Sequence, residues 1–194
     1  MLLELINEIL DISRIEAGRL HLSPQEFDLA DLLHRRCDAM VSTAARKGLQ
    51  IEARIAPSVG HVTSDPMRVA QIVSNLLSNA VKFTDGGSVV LEARGDDEQV
   101  TIVVQDTGPG ISAEDITRLF RPFVQVGGTG TQNREGTGLG LVISQYLAYA
   151  MGGEISVQST LGAGSRFQLQ LPRTYAGAGD VANTGIYRKL MPQA

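Results

Sequence analysis

Apolar positions recur along this chain at helical and at strand spacing, and the changes between the two mark out its elements. In residues 2–17 (LLELINEILDISRIEA), Leu2, Leu3, Leu5, Ile6, Ile9, Leu10 and Ile12 gather on one helical face, with Glu4, Asn7, Glu8, Asp11 and Arg14 opposite. Gly18 follows as a C-terminal stop. A helix of about 15 residues is marginal alone in water, so the apolar stripe needs a partner: its own domain, a helical hairpin or a dimer.

From about residue 20 to 172 helical and extended patterns interleave. An extended stretch near 20–27 leads to Asp28, an N-cap for a helix running to about Lys47. Residues 49–55 alternate, with Leu49, Ile51, Ala53 and Ile55 facing one way. Asp65 and Pro66 read as N-cap and first-turn proline of a helix to about Phe83. Two strands, about 88–95 and 99–105, form a hairpin through the acidic turn at 95–98. Short helical patterns after Gly110 give way to a glycine-rich stretch at 126–136. A helix at about 137–151 follows, then two strands at 154–159 and 165–171, in which Ile155 and Val157 are expected to pair with Phe167, Leu169 and Leu171. The class is α+β, a two-layer α/β sandwich with one sheet covered on one face by helices. Residues 173–194 show no periodicity and read as a linker or tail.

Composition narrows the function. The chain of 194 residues is 43% hydrophobic and 20% charged, as a globular domain is. Seventeen basic against 21 acidic residues leave a net charge of −4, which offers no overall positive field for nucleic acid or an anionic membrane. No apolar run approaches the roughly 20 residues of a membrane span, and the start lacks a signal-peptide pattern, so the chain is expected to be soluble. The single cysteine, Cys37, excludes an internal disulfide and reads as a small buried hydrophobe on its helix.

Three stretches carry candidate chemistry. In the helix from Asp65, Val69, Ile72, Val73, Leu76, Leu77 and Ala80 fall on one side. Gln71, Asn75, Asn79 and Lys82 fall within an arc of roughly 80° on another. That polar set is poor in charge for a solvated face, although a solvated face remains the alternative. Its carboxamide oxygens suit Mg²⁺ near phosphates and its lysine suits phosphate oxygens. The second stretch, residues 106–111 (DTGPGI), puts Asp106 at a strand end, where Gly108 and Gly110 permit a tight turn. The carboxylate is then free to accept from an exocyclic amine such as that of adenine; an ordinary turn with a capping Asp is the alternative. The third, residues 136–141 (GTGLGL), opens a helix with core positions Leu139, Val142, Ile143, Tyr146 and Leu147, so that exposed amides and the helix dipole can receive phosphates. It matches neither a P-loop nor a dinucleotide fingerprint. The stretch at 126–135 before it has little to pin it and is expected to move as a lid, with a plain surface loop as the alternative.

Taken together and in this order, these stretches resemble the ATP-binding domain of sensor histidine kinases, within the GHKL superfamily that includes type II topoisomerases, mismatch-repair ATPases and ninety-kilodalton heat-shock chaperones. The similarity covers about residues 2–172. Residues 65–84 (DPMRVAQIVSNLLSNAVKFT) look like the N box, 106–111 the first glycine box, 119–125 (LFRPFVQ) the F box and 136–141 the second glycine box. The resemblance implies a Bergerat-type fold with a mixed sheet, and Mg²⁺ and ATP as cofactors. It implies Asn75 as Mg²⁺ ligand, Asn79 and Lys82 near the phosphates, Phe83 near the nucleotide and Asp106 accepting from adenine N6. Gln71, with Asn75, would carry the catalytic role. Gly108, Gly110, Ile111, Phe123, Gly136, Thr137, Gly138, Leu139, Gly140 and Leu141 would line the nucleotide. Phe120 and Phe123 would anchor the lid, and Ser165 in GAGSRF matches a Ser/Thr near the adenine. Arg121 stands where many relatives carry Glu or Gln.

The opening residues 5–18 (LINEILDISRIEAG) resemble the end of the second helix of the dimerisation and phosphoacceptor hairpin, of the type common in hybrid kinases. No phosphoacceptor motif accompanies it, and His21, His34 and His61 lie in unrelated contexts. The expected organisation is therefore a hairpin remnant at 1–18, an ATP-binding catalytic domain at 19–172 and a linker or tail at 173–194, forming part of a longer protein. The function implied is to hold Mg-ATP for transfer of its γ-phosphoryl to a histidine of a kinase hairpin in two-component signalling. A non-catalytic nucleotide-binding module and a stand-alone GHKL ATPase are the alternatives. Implied partners are that histidine-bearing hairpin and a response regulator or receiver domain, with no nucleic acid. The full-length protein is implied to be a homodimer and this part a cytoplasmic domain, with membrane anchoring of the parent left open.

Overall fold

A computed structural model describes residues 2–17, 19–125, 136–175, 177 and 179–180. Helix α1 (Leu2–Glu16) leads into two short strands, β1 (His21–Leu22) and β2 (Gln25–Asp28), then α2 (Leu29–Arg46), β3 (Gln50–Ile55), β4 (His61–Ser64) and α3 (Pro66–Phe83). The hairpin β5 (Ser88–Gly95) and β6 (Gln99–Asp106) follows. After it come the short α4 (Ala113–Ile116), α5 (Gly140–Ala150), β7 (Glu154–Thr160), β8 (Gly164–Pro172) and β9 (Gly179–Asp180). The expected stop at Gly18, the lid at 126–135 and most of the tail lie outside the described residues.

A five-stranded sheet in the order β3-β5-β6-β8-β7 forms one layer. Only β3 and β5 run parallel; the other neighbours are antiparallel, which makes the sheet mixed. Strand alternation turns Val89, Leu91, Ala93, Val100, Ile102, Val104, Phe167, Leu169, Leu171 and Ile155 toward one face, where α2, α3 and α5 cover them. The pairing of Ile155 with Leu169 and Val157 with Phe167 is as expected, whereas Leu171 lies beyond the end of β7 and pairs with Val100 of β6 instead.

Helix α3 is the central support. Asp65 caps it by accepting from the Met67 and Arg68 amides at 3.0 and 3.1 Å, and Pro66 occupies its first turn. Val69, Ile72, Val73, Leu76 and Leu77 are at most 1% exposed. Each large buried side chain contributes roughly 1.5–3 kcal/mol against about 1 kcal/mol for a cap, so burial holds the helix and the cap decides where it begins.

Four features depart from the sequence pattern. Helix α5 starts at Gly140 rather than near 137, because Gly138 sits at φ +73°, outside helical space, and residues 136–139 form a loop into the helix. Its core positions Leu139, Val142, Ile143, Tyr146 and Leu147 are all buried. Two small sheets, β2 with β4 and β1 with β9, had no clear alternation to announce them. The chain also stays tied to the domain past residue 172: Arg173 donates to the carbonyls of Ser58, Val59, His61 and Asp96 at 2.6–3.0 Å, and Thr63 bridges to Thr174.

The fourth departure concerns α1. Part of the stripe expected to seek a partner faces outward, with Ile6, Ile9 and Leu10 45–50% exposed, while Ile12 packs on the core and Asp11 and Ile15 are buried at 7% and 3%. Asp11 docks beside Ile12 and Ile15 because its charge finds a partner: Arg68 lies 3.3 Å from the Asp11 carboxylate. Cys37 is buried, and its thiol pKa is raised by burial and by Asp38. Among the described residues no helix is long and apolar enough to cross a membrane.

Candidate functional site

The inward face of the sheet ends in a polar row. Register sets Asp106 of β6 opposite Ser165 of β8, and Ser165 opposite Ser159 of β7. Asp106 and Ser165 thus extend the row that begins with the apolar pairs Ile102–Leu169 and Val104–Phe167, so the alternation of the strands buries a carboxyl group beneath the helical layer. Asp106 Oδ1 accepts from the Gly108 amide at 2.8 Å. Desolvation raises the Asp106 pKa, opposed by backbone hydrogen bonds from Gly108 and Ser165.

The DTGPGI loop folds back over this row. A Cβ at Gly108 would come within 2.8 Å of Asp106 Oδ1, 3.1 Å of Thr84 Oγ1 and 3.3 Å of the Phe83 carbonyl. Gly110 at φ +70° lies so close to the Thr160 carbonyl that a Cβ there would collide with it. The Ile111 amide donates to Ser159 Oγ at 2.8 Å, and Ser159 and Ser165 hydroxyls lie 3.0 Å apart. Thr84 is fully buried, and its hydroxyl has no hydrogen-bond partner.

Along α3, Gln71, Asn75, Asn79 and Lys82 are half-buried and form a continuous polar strip. The second glycine motif lies against it. Asn75 Nδ2 donates to Ser144 Oγ of α5 at 2.9 Å, and Asn79 Nδ2 approaches Asn75 Oδ1 at 3.4 Å. A Cβ at Gly140 would stand 2.5 Å from Asn75 Oδ1, and one at Gly136 would stand 2.9 Å from Lys82 Nζ. The Lys82 ammonium also sits 4.9 Å from the centre of the Phe83 ring. Thr137 is half-buried at the loop, where its Oγ1 accepts from the Leu139 amide at 3.1 Å; Leu141 is half-buried and packs on the core.

The F-box residues divide. Phe120 packs on the core, whereas Phe123 is 74% exposed at φ +59° and meets the loop through its backbone, which lies against Gly138. Gln125 donates to the Gly136 carbonyl at 2.6 Å. The ring of Phe123 therefore anchors nothing among the described residues.

Several neighbours of the strip were not legible as site residues. Gln71 donates to Asp11 Oδ2 at 2.8 Å and accepts from Arg68 Nη1 at 2.9 Å. Thr137 Oγ1 donates to Glu8 at 2.6 Å. Glu8 and Asp11 read as solvent-side residues of α1, and no local pattern links them to positions 60 and 129 residues away. Ser144, Ser159 and Thr84 are likewise chosen by packing. His21, His34 and His61 are all exposed, in β1, α2 and β4.

The arrangement has two chemically distinct ends. One is a buried carboxyl group walled by hydroxyls and tight glycine turns, suited to a flat heterocycle with an exocyclic donor. The other is a pair of amides and an ammonium facing a glycine loop at a helix start, suited to phosphates. Among the described residues no cluster of three His, Cys, Asp or Glu offers a protein cage for a metal ion. Asn75 Oδ1, facing the glycine loop, fits instead a Mg²⁺ held mainly by phosphate oxygens and water.

Comparison with known proteins gives the same picture. The sensor histidine kinase RcsC of Escherichia coli K12 is 45% identical over 174 residues, covering 89% of this chain and 18% of RcsC. The sensor protein GacS of Pseudomonas syringae pv. syringae is 45% identical over 180 residues, covering 89% and 20%. The chain thus spans about a fifth of these relatives' length. The crystal structure of full-length ShkA in complex with AMPPNP superposes with a TM-score of 0.79 at 35% identity, covering 94% of this chain and 37% of that one. Residues 64–175, from the end of β4 to just past β8, match the family described as histidine kinase-, DNA gyrase B- and HSP90-like ATPase, and to that family this chain belongs.

Proposed function

We propose that this chain binds Mg-ATP and presents the γ-phosphoryl group to a histidine imidazole supplied by a kinase hairpin, as the catalytic part of a protein-histidine kinase in two-component signalling. The carrying observation is that the buried Asp106 and the Asn75–Lys82 strip meet through Phe83 and Thr84, with Gly108 close against one and Gly136 and Gly140 close against the other. A nucleoside triphosphate has that same division between a flat base and a charged tail. The relatives named as sensor histidine kinases, and the AMPPNP held by ShkA, support the same reading.

Asp106 accepts the adenine N6 hydrogen, with Ser165, Gly108, Gly110 and Ile111 shaping the base pocket. Lys82 offsets phosphate charge and Asn79 donates to phosphate oxygen. Asn75 offers an uncharged oxygen to Mg²⁺, which when bound neutralises the phosphates. The loop Gly136–Leu141 and the first amides of α5 receive the phosphate tail. Gln71, at the hairpin end of the strip, orients the incoming imidazole. An N–P bond forms as the bond to the β,γ-bridging oxygen breaks, and ADP leaves with the electron pair. The work is positioning and charge neutralisation. The full-length protein is a homodimer whose cytoplasmic kinase part passes the phosphoryl group to a response regulator or receiver domain.

Calorimetric titration with Mg-ATP and with adenosine tests the site. Asn75→Ala is expected to lose the Mg-dependent part of the ATP affinity and to keep adenosine binding. Equal losses for both ligands would make Asn75 structural. With γ-labelled ATP, the chain alone is expected to take up no stoichiometric acid-labile phosphate, and a separately supplied hairpin bearing the histidine is expected to be labelled. Labelling of His21, His34 or His61 would overturn the reading.

A further inference from the structure

The last carbonyls of a helix have no partners within it, and at α3 one side chain from elsewhere in the chain collects them. Lys47, just past the end of α2, donates from Nζ to the carbonyls of Val81 at 2.8 Å, Lys82 at 2.8 Å and Thr84 at 2.7 Å. All three ammonium protons are thereby used, and the Asp85 carboxylate stands 3.7 Å away as counter-charge. A cation there also complements the negative end of the helix dipole.

The residues so held reach both ends of the site. Lys82 Nζ faces Gly136 of the second glycine motif, while the Phe83 carbonyl and Thr84 hydroxyl stand over Gly108 beside Asp106. Thr84 Oγ1 is buried and unpartnered, so nothing in its own contacts fixes its direction; the carbonyl of the same residue is what Lys47 grips. Lys47 itself turns all its donors to main chain and acts only through its neighbours.

We propose that Lys47 is a positioning residue for nucleotide binding. It fixes the backbone of residues 81–84 so that the Lys82 ammonium faces the phosphate loop. This rests on the Mg-ATP reading above. A plain helix cap would lower the melting temperature without selectively weakening the phosphate end.

The test is a double-mutant cycle on the whole chain, using Lys47→Met, which keeps the aliphatic stem and removes the donors, Lys82→Ala, and the pair. Mg-ATP and adenosine affinities are measured well below each variant's melting temperature. The ratio of the two affinities reports the phosphate contribution. Lys47→Met is expected to lower that ratio by about tenfold, on the scale of one lost contact to a charged group. In the Lys82→Ala background it is expected to lower it little further, because the two act through one element. Lys47→Arg, which keeps the charge, is expected to recover part of the ratio. An unchanged ratio in Lys47→Met, or fully additive losses, overturns the assignment. If Lys47→Met does not fold, Lys47→Gln takes its place, and a wild-type ratio in that variant overturns it equally. Equal affinity of the wild-type chain for adenosine and Mg-ATP overturns the nucleotide reading itself, and that result is seen without any Lys47 variant.

Discussion

Asp106 is costly where it lies. The residue is 7% exposed, and burial raises its carboxyl pKa above the ordinary Asp value despite two backbone donors. A proton therefore returns to it at a higher pH than to an exposed Asp. The charged form is the strong acceptor for an exocyclic amine, so adenosine affinity is expected to hold at neutral pH and to fall as pH drops through this raised value. Titration calorimetry across the acidic range checks it; a midpoint at or below the usual Asp value would detach the affinity from Asp106. The sign for stability is the same as for any raised carboxyl pKa: the folded state is favoured below the unfolded pKa, and that contribution is lost as pH rises through the folded one. Asp106→Ala is expected to weaken ATP binding by about 10- to 100-fold, since a hydrogen bond to a charged group contributes roughly 1.5–3 kcal/mol.

Helix α3 does two jobs because its two faces obey different rules. The apolar face packs on β5, β6, α2 and α5, while the polar face meets the glycine loop. Its start depends on Asp65, which is 5% exposed and accepts from Met67 and Arg68 and, through Oδ2, from the Ser23 amide at 2.9 Å. Asp65→Ala strips a cap and also leaves the Ser23 amide without its acceptor. A loss of about 2 kcal/mol is expected, at the upper end for N-caps, read from denaturant unfolding. A loss below about 0.5 kcal/mol would mean that water replaces the carboxylate at no cost.

At the scale of the molecule, α1 is joined to the helical layer by Ile12 and Ile15 and by polar contacts. Asp11 with Arg68 and Gln71, and Glu8 with Thr137, tie it to both the N-box helix and the second glycine loop. Asp11→Ala leaves the Arg68 guanidinium, only 18% exposed, without its carboxylate. The expected cost is about 2 kcal/mol, below the roughly 3–5 kcal/mol of a fully buried pair because Arg68 retains some water. It should appear locally, as faster amide hydrogen exchange in α1 with the five-stranded sheet unchanged. Equal acceleration in the sheet would show that α1 is integral to the domain core.

How much of this was legible follows from the range of each interaction. Caps, periodicity and turns depend on residues within about one turn or one strand of each other. Asp28, Asp65, Pro66, the β5–β6 hairpin and the apolar face of α3 could accordingly be read directly from neighbours in the chain. So could the order of the N box, glycine boxes and F box, since their spacing is a property of the chain alone. The direction in which α1 faces could not, because an amphipathic pattern says that two sides differ and not which finds the better partner. There the side carrying Ile12, Ile15 and the Asp11–Arg68 contact meets the domain, and Ile6, Ile9 and Leu10 stay exposed. The short strands β1, β4 and β9, too brief to show a period, form only when distant segments meet. Lys47 and Thr84 acquire their roles in the same way, one from the open end of a helix begun 19 positions further on and one from a distant glycine turn. The chain alone determined which groups this protein possesses and the elements that carry them; folding decided which of those groups face each other, because hydrogen bonds and burial act over ångströms in space and take no account of separation in sequence.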